Sequence, residues 1–253
     1  MTNILKFMSL KSHFSESLVN FALTMERTKH TCDLQSCYLC TRCMPDWRLA
    51  IETHKKNEKF KKGKPIFREG EQVGGIFFIY SGKVKVHMRW DEEKDLIVRF
   101  AKSGDIIGYR GLGNDMVYPV SATALEDTVV CFIDNSFFEA TLRANPNLAY
   151  DLMKFYANEL QDAERRMRNL VHMESMGRVA GTLLMLKNIF GVNKQGFIDI
   201  TLTKQDMASY SGTTYETFSR MSNELVKEKI IRVAGKNIAI TMEVKLKELT
   251  AAD

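Results

Sequence analysis

Between Lys61 and Ile133 the apolar residues come in short runs, separated by glycines at positions 63, 70, 74, 75, 82, 104, 108, 111 and 113. Short strands punctuated by glycine turns predict an antiparallel barrel or roll. Lys83 to Met88 alternates polar and apolar, which puts Val84, Val86 and Met88 toward a core and His87 outward. Leu96–Phe100 and Thr128–Ile133 are further β-branched and aromatic runs. The period changes at Asn145-Pro146, an N-cap residue followed by proline at the first helical position. From there Ala149, Met153, Tyr156, Leu160, Ala163, Met167 and Leu170 recur at alternating spacings of four and three, the seam of a coiled coil. Lys154, Glu159, Asp162, Glu164, Arg165 and Arg166 lie off that seam. A helix from Pro146 to about Met173 would be roughly 40 Å long at about 1.5 Å per residue. A narrow apolar seam flanked by charge predicts a parallel homodimer in preference to a helix packed only on its own β domain. After a joint at Ser175-Met176-Gly177, Val179, Leu183, Leu186 and Phe190 share one face of a shorter helix closed by Gly191.

Two helices and a hairpin follow. Thr203 precedes Asp206 by three residues, a capping box, Ala208 is small enough for a close crossing, and Gly212 supplies a left-handed turn. With Phe218 as the anchor of the second helix, this is the spacing of a DNA-binding helix-turn-helix. The second helix, about Thr214 to Lys229, is expected to turn Leu225 and Val226 to the core and to offer Tyr215, Glu216, Ser219 and Arg220. In a major groove Arg220 would grip a guanine, Glu216 would accept from a cytosine amine, and Ser219 would bond a base edge or phosphate. Thr203, Thr213 and Thr214 complete the candidate DNA contacts, although Glu216 and Arg220 also have the spacing of an ordinary helical ion pair. Ile231–Val233 and Ile238–Ile240 read as a hairpin with Lys236 at its tip near phosphate, making the module a winged helix. The division is therefore an arm over 1–45, a β-roll over 46–145, a dimerisation helix over 146–174 and a winged helix-turn-helix over 175–253, an α+β chain.

Composition changes little of this picture: 253 residues with 45% hydrophobic and 26% charged residues suit a soluble globular chain, and a net charge of +5 permits a nucleic-acid partner. Met1 to Phe21 is interrupted by Lys6, Lys11, His13 and Glu16, so neither a membrane span nor an export signal is expected and the cytoplasm is the default compartment. The chain shows no P-loop, no nucleophile elbow and no His-Glu metal motif, which argues against an enzyme. The five cysteines add more. Cys32, Cys37, Cys40 and Cys43 crowd one stretch while Cys131 stands alone. In a reducing compartment clustered thiols are metal ligands or redox groups more often than disulfides. Cys37-x2-Cys40-x2-Cys43 has the spacing of a ferredoxin-type cluster run, with zinc or unligated thiols as the alternatives.

The order of roll, long helix and winged helix, with Glu-Gly-Glu at 69–71, Phe-Ile-Tyr-Ser-Gly-Lys-Val-Lys-Val at 78–86, Gly-Asp-Ile-Ile-Gly at 104–108 and Glu-Thr-Phe-Ser-Arg at 216–220, resembles the CRP/FNR family of bacterial transcription regulators. The resemblance runs from about Lys59 to Ile240 and is nearest the FNR branch. It implies a cyclic-nucleotide-binding-domain-like roll, a homodimer on a palindromic double-stranded operator with TTGAT-like half-sites, and RNA polymerase as a further partner. It also implies an oxygen-labile 4Fe-4S cluster for redox or nitric-oxide sensing, with Cys131 joining Cys37, Cys40 and Cys43, and with Cys32 as a substitute ligand because the cysteine spacing departs from FNR itself. Cyclic AMP is disfavoured: the glutamate place after Gly108 holds Tyr109, the arginine-serine place holds Tyr118-Pro119, and Arg110 is out of register. Haem-bound gas is the other sensing option, but His13, His30, His54, His87 and His172 show no pocket signature. A nucleotide-responsive module without a DNA role would leave Glu216 to Arg220 and the hairpin unexplained.

Overall fold

The computed structural model describes residues 37–89 and 95–250; Cys32, His13 and His30 lie outside the described residues. Two short helices, α1 (Tyr38–Arg42) and α2 (Arg48–His54), precede strands β1 (Lys56–Phe60), β2 (Pro65–Phe67), β3 (Gly75–Ser81), β4 (Lys83–Arg89), β5 (Asp95–Lys102), β6 (Ile106–Ile107), β7 (Ser121–Ala124) and β8 (Thr128–Asp134). The strands form two four-stranded sheets, ordered β1-β8-β3-β6 and β2-β7-β4-β5. Every pairing in them is antiparallel. This is the roll predicted from the glycine-punctuated pattern.

The period-two alternation of strand side chains sorts the roll into two cores. Phe77 and Ile79 of β3 and Val130 of β8 point between the sheets, where they meet Ile66, Val84 and Val86. Their neighbours Ile76, Phe78, Cys131 and Ile133 point the other way, into a second core. Helices α3 (Asn135–Ala144) and α4 (Pro146–His172) close that second core with Phe138, Leu148 and Leu152. Gly75, read as part of a turn, instead opens β3 by pairing with Asp134, and a Cβ there would sit 2.1 Å from the Ile133 carbonyl oxygen of the paired strand.

Three further expectations change. Met88 does not reach the core: the β4–β7 pairing ends at His87↔Ser121 and Met88 extends past it, 37% exposed. His87 does turn away from the roll, but that face is covered, and its ring lies against Thr123 Oγ1 (2.9 Å) and Asp95 Oδ2 (3.0 Å). Asn145 sits at the N-cap of α4 without capping it; its side chain accepts from Met44 N at 2.8 Å and donates to Thr141 O at 2.8 Å, tying the arm to the helix.

The chain breaks direction at Met173 and Glu174, so Ser175-Met176-Gly177 is the first turn of α5 (Ser175–Phe190) and not the joint itself. Gly177 is buried there, and a Cβ on it would stand 2.7 Å from Leu249 O, so the position favours glycine. Helices α6 (Lys204–Ser211) and α7 (Tyr215–Lys227), the antiparallel hairpin β9 (Ile231–Ala234) and β10 (Asn237–Ile240), and α8 (Glu243–Glu248) complete the C-terminal unit. Its core joins Val179, Leu183, Met207, Phe218 and Leu225 to Ile97 and Phe100 of β5. Among the described residues no helix is long and apolar enough to cross a membrane.

Candidate functional site

The turn between α6 and α7 is held from both ends. Thr203 Oγ1 accepts from Asp206 N at 3.0 Å while Asp206 Oδ2 accepts from Thr203 N at 3.3 Å, a reciprocal capping box. Gly212 has φ +63° and a Cβ on it would meet Leu170 Cδ2 at 2.2 Å, so backbone conformation and the long helix both demand glycine. Thr214 caps α7 by accepting from Thr217 N at 3.1 Å, and Thr213 Oγ1 lies 2.9 Å from Ser211 Oγ. The hydroxyls of Thr203, Thr213 and Thr214 thus serve the motif's own geometry. Ala208 and Phe218 are fully buried where the helices cross. The inward stripe of α7 is Phe218, Met221, Ser222 and Leu225, at helical spacing, which leaves Val226 on the flank at 39% exposed instead of in the core.

What α7 presents is Tyr215, Glu216 and Arg220, all exposed, with Ser219 half-buried between them. Lys204, which the motif spacing did not single out, donates from Nζ to Ser219 Oγ at 3.0 Å and so stands beside the same surface. Lys236 is exposed at the turn between β9 and β10. Two donors, one carboxylate and an aromatic at the N-terminal end of one exposed helix, with cations at its flanks, form a surface able to enter a groove and grip phosphates.

The second cluster of chemistry lies in the core between the β1-β8-β3-β6 sheet and the helices packed on it. Cys37 is the N-cap of α1, whose first amide, Tyr38 N, donates to Gly104 O at 3.0 Å and fixes the helix against the roll. Cys40 and Cys43 are buried and Cys37 half-buried. Cys43, Cys37 and Cys131 share one apolar cluster with Tyr38, Leu39, Ile76 and Phe78. Burial pushes the Cys43 thiol up, against the nearby Arg48 cation. Arg48 Nε is itself buried and, among the described residues, without a hydrogen-bond partner. Among the described residues no three His, Cys, Asp or Glu side chains converge on a metal-holding point.

This cysteine segment is braced on α3 and α4. Arg42 lies 3.7 Å from Asp151, the Tyr38 ring meets Phe155 edge-on at 5.6 Å, and Trp47 Nε1 donates to Thr141 Oγ1 at 3.0 Å. On α4 itself Met153, Leu160 and Met167 are 59, 61 and 63% exposed. Ala163 is exposed beside them, while Tyr156 is half-buried, its hydroxyl donating to Tyr109 O at 2.7 Å, and Leu170 leans on Gly212. The off-seam side packs on the chain's own roll, where Glu159 accepts from Tyr109 and from Arg110 (3.0 Å) and lies 3.3 Å from Arg99.

A cyclic nucleotide-binding domain model matches residues 57–145, and a Crp-like helix-turn-helix domain model matches residues 177–249. The anaerobic regulatory protein of Bacillus subtilis (strain 168) is 30% identical over 186 residues, 72% of this chain and 78% of that protein. The chain belongs to the CRP/FNR family. The transcriptional activator protein anr of Pseudomonas aeruginosa is 28% identical over 221 residues, 84% of this chain and 90% of that one. Among solved structures, FixK2 from Bradyrhizobium japonicum superposes with a TM-score of 0.70 at 26% identity, covering 79% of this chain and 98% of the other. With its Crp-like helix-turn-helix module, this CRP/FNR chain is a DNA-binding transcription regulator.

Tyr109 and Tyr118, singled out in the sequence, are both buried. Burial, aided by Glu159 and opposed by Arg99, pushes Tyr109 up to about 12. Tyr118 is likewise raised to about 12 by burial while donating to Gly75 O at 2.7 Å. Arg110 donates to Glu159 on α4 at 3.0 Å.

Proposed function

We propose that this regulator acts in the cytoplasm as a homodimer on a palindromic operator with TTGAT-like half-sites, with RNA polymerase as its partner, and reports oxygen, nitric oxide or redox state through a 4Fe-4S cluster. Met153, Leu160, Ala163 and Met167 line an apolar seam that a second copy would cover, with Tyr156 and Leu170 at its edge. Tyr215, Glu216, Ser219 and Arg220 would read bases, while Lys236 would hold phosphate. Thr203, Thr213 and Thr214 would approach the backbone from the ends of the two helices.

The observation that carries the sensing half is that Cys131 faces the core occupied by the Cys37–Cys43 segment, not the interior of the roll. Four thiols are the soft donor set that iron–sulfur clusters take, and the Arg48 cation beside Cys43, whose buried Nε has no hydrogen-bond partner among the described residues, suits the negative charge of thiolates. Cys37, Cys40, Cys43 and Cys131 would be the ligands, with Cys32 as a substitute. A bound cluster would supply an oxygen- and nitric-oxide-labile link between arm and roll. This chain's own residues carry the consequence: Arg42, Tyr38, Met44 and Trp47 bind α1 and its flank to α4 and Thr141, so any shift of the arm bears on the seam.

Buried Tyr109 and Tyr118 favour this reading over cyclic AMP, as does Arg110, which is engaged by Glu159, because a buried phosphate without a compensating cation is costly. The test is the visible spectrum of anaerobically purified protein before and after air. A broad brown absorbance that bleaches, and that is absent from Cys131→Ser, is expected. A sharp Soret band would assign haem, bound zinc without colour would assign a structural metal site, and colourless iron-free protein with full operator affinity would end the cluster reading.

A further inference from the structure

The outer face of β4 and β5 is partly covered by the DNA-binding unit. Ile97 and Phe100 are buried in the core of the DNA-binding unit, among Val179, Leu183, Met207 and Phe218. Cations of the same two strands reach across: Lys85 Nζ to Asp206 Oδ1 at 2.7 Å, Lys83 Nζ to Asp199 at 3.8 Å, and Lys102 Nζ to Ile189 O. Ser209 of α6 accepts from Ile97 N at 2.9 Å and donates back to Asp95 O. Over this junction lies Arg166 of α4. Its guanidinium donates to Ile97 O (2.6 Å) and Val98 O (3.0 Å) on the roll and to Tyr210 O (2.7 Å) on α6, and it stacks on the Tyr210 ring at 4.2 Å. One planar side chain on the long helix thus spans both domains through main-chain oxygens. Its five donors in a fixed fork hold position in a way that a single ammonium does not.

With these contacts made, Tyr215, Glu216 and Arg220 remain exposed, so the clasped arrangement presents the reading helix. We propose that the β4–β5 face is a clasp for the DNA-binding domain, and that Arg166 and Lys85 are positioning residues that set where the reading helix stands relative to the dimer helix. A dimer engages its second half-site intramolecularly, and that gain depends on the two reading helices being held at the right separation. Loosening the clasp therefore weakens binding to a palindrome and spares binding to one half-site. This consequence rests on the dimeric reading above; the clasp itself does not.

The experiment compares fluorescence-anisotropy titrations of the full chain with a palindromic TTGAT-type duplex and with a duplex carrying one half-site, and follows amide hydrogen exchange at Ile97. Arg166→Lys and Lys85→Glu are expected to lose about tenfold on the palindrome while staying within about twofold on the half-site, with Lys85→Arg retaining wild-type behaviour. Both loosened variants are expected to exchange the Ile97 amide about tenfold faster. Unchanged palindrome binding, or parallel loss on both duplexes, overturns the positioning role. If wild-type protein itself fails to prefer the palindrome, the dimer reading falls and the exchange rate decides the clasp alone: Ile97 protection unchanged in both variants overturns it.

Discussion

Arg220 stands on the exposed side of α7, one turn beyond Glu216, in a helix whose inward stripe is filled by Phe218, Met221 and Leu225. Because no packing depends on it, its removal tests recognition and little else. Arg220→Ala is expected to flatten discrimination at one guanine position by about 1–3 kcal/mol in competition shifts across half-site variants, with thermal stability unchanged. An unaltered ranking of those variants would take Arg220 out of base reading. Most of this surface was legible in the sequence, since capping box, small residue, glycine and apolar anchor are local signals. Lys204 was not, because its approach to Ser219 depends on the crossing of two helices.

At the scale of elements, α4 serves two faces at once. The off-seam charges Glu159 and Arg166 bind the chain's own strands, while Met153, Leu160 and Met167 stay uncovered. Leu160→Glu would place a charge in the seam of the dimer without touching the roll. Sedimentation should report dimer dissociation strengthened by about 100-fold with the fold retained, as expected for loss of a central interface side chain. A variant that remained dimeric at the same concentrations would assign dimerisation elsewhere. The heptad spacing predicts a seam that includes Leu170, which is 37% exposed and also lies against Gly212 of the same chain. The expectations for Val226 and Met88 failed because helical and strand periods name a face, and the edges of that face are decided by where the covering element stops.

At the scale of the molecule, the two domains are coupled through Asp206, which caps α6 and pairs with Lys85. Burial pushes its carboxyl up, but hydrogen bonds from Lys85 and Thr203 outweigh that and hold it below the ordinary carboxylate value. The folded chain therefore favours the ionised form, so the stabilisation is complete above about pH 4, the ordinary carboxylate value, and is lost as pH falls through the lowered one. Wild type should exceed Asp206→Asn by about 1–2 kcal/mol in thermal melts near neutrality. The gap should narrow below about pH 4, and a constant gap would show that the charge does not matter. By itself the sequence determined the element order, the roll, the helix-turn-helix and the apolar seam, because caps, glycine turns and periods act over a few residues. Only the tertiary structure decided that Cys131 faces the arm instead of the roll's interior, that the alternate face of β4 is covered, and that Arg166 joins two domains. A period states which side chains share a face, whereas what lies opposite that face is set by packing between segments far apart in the chain.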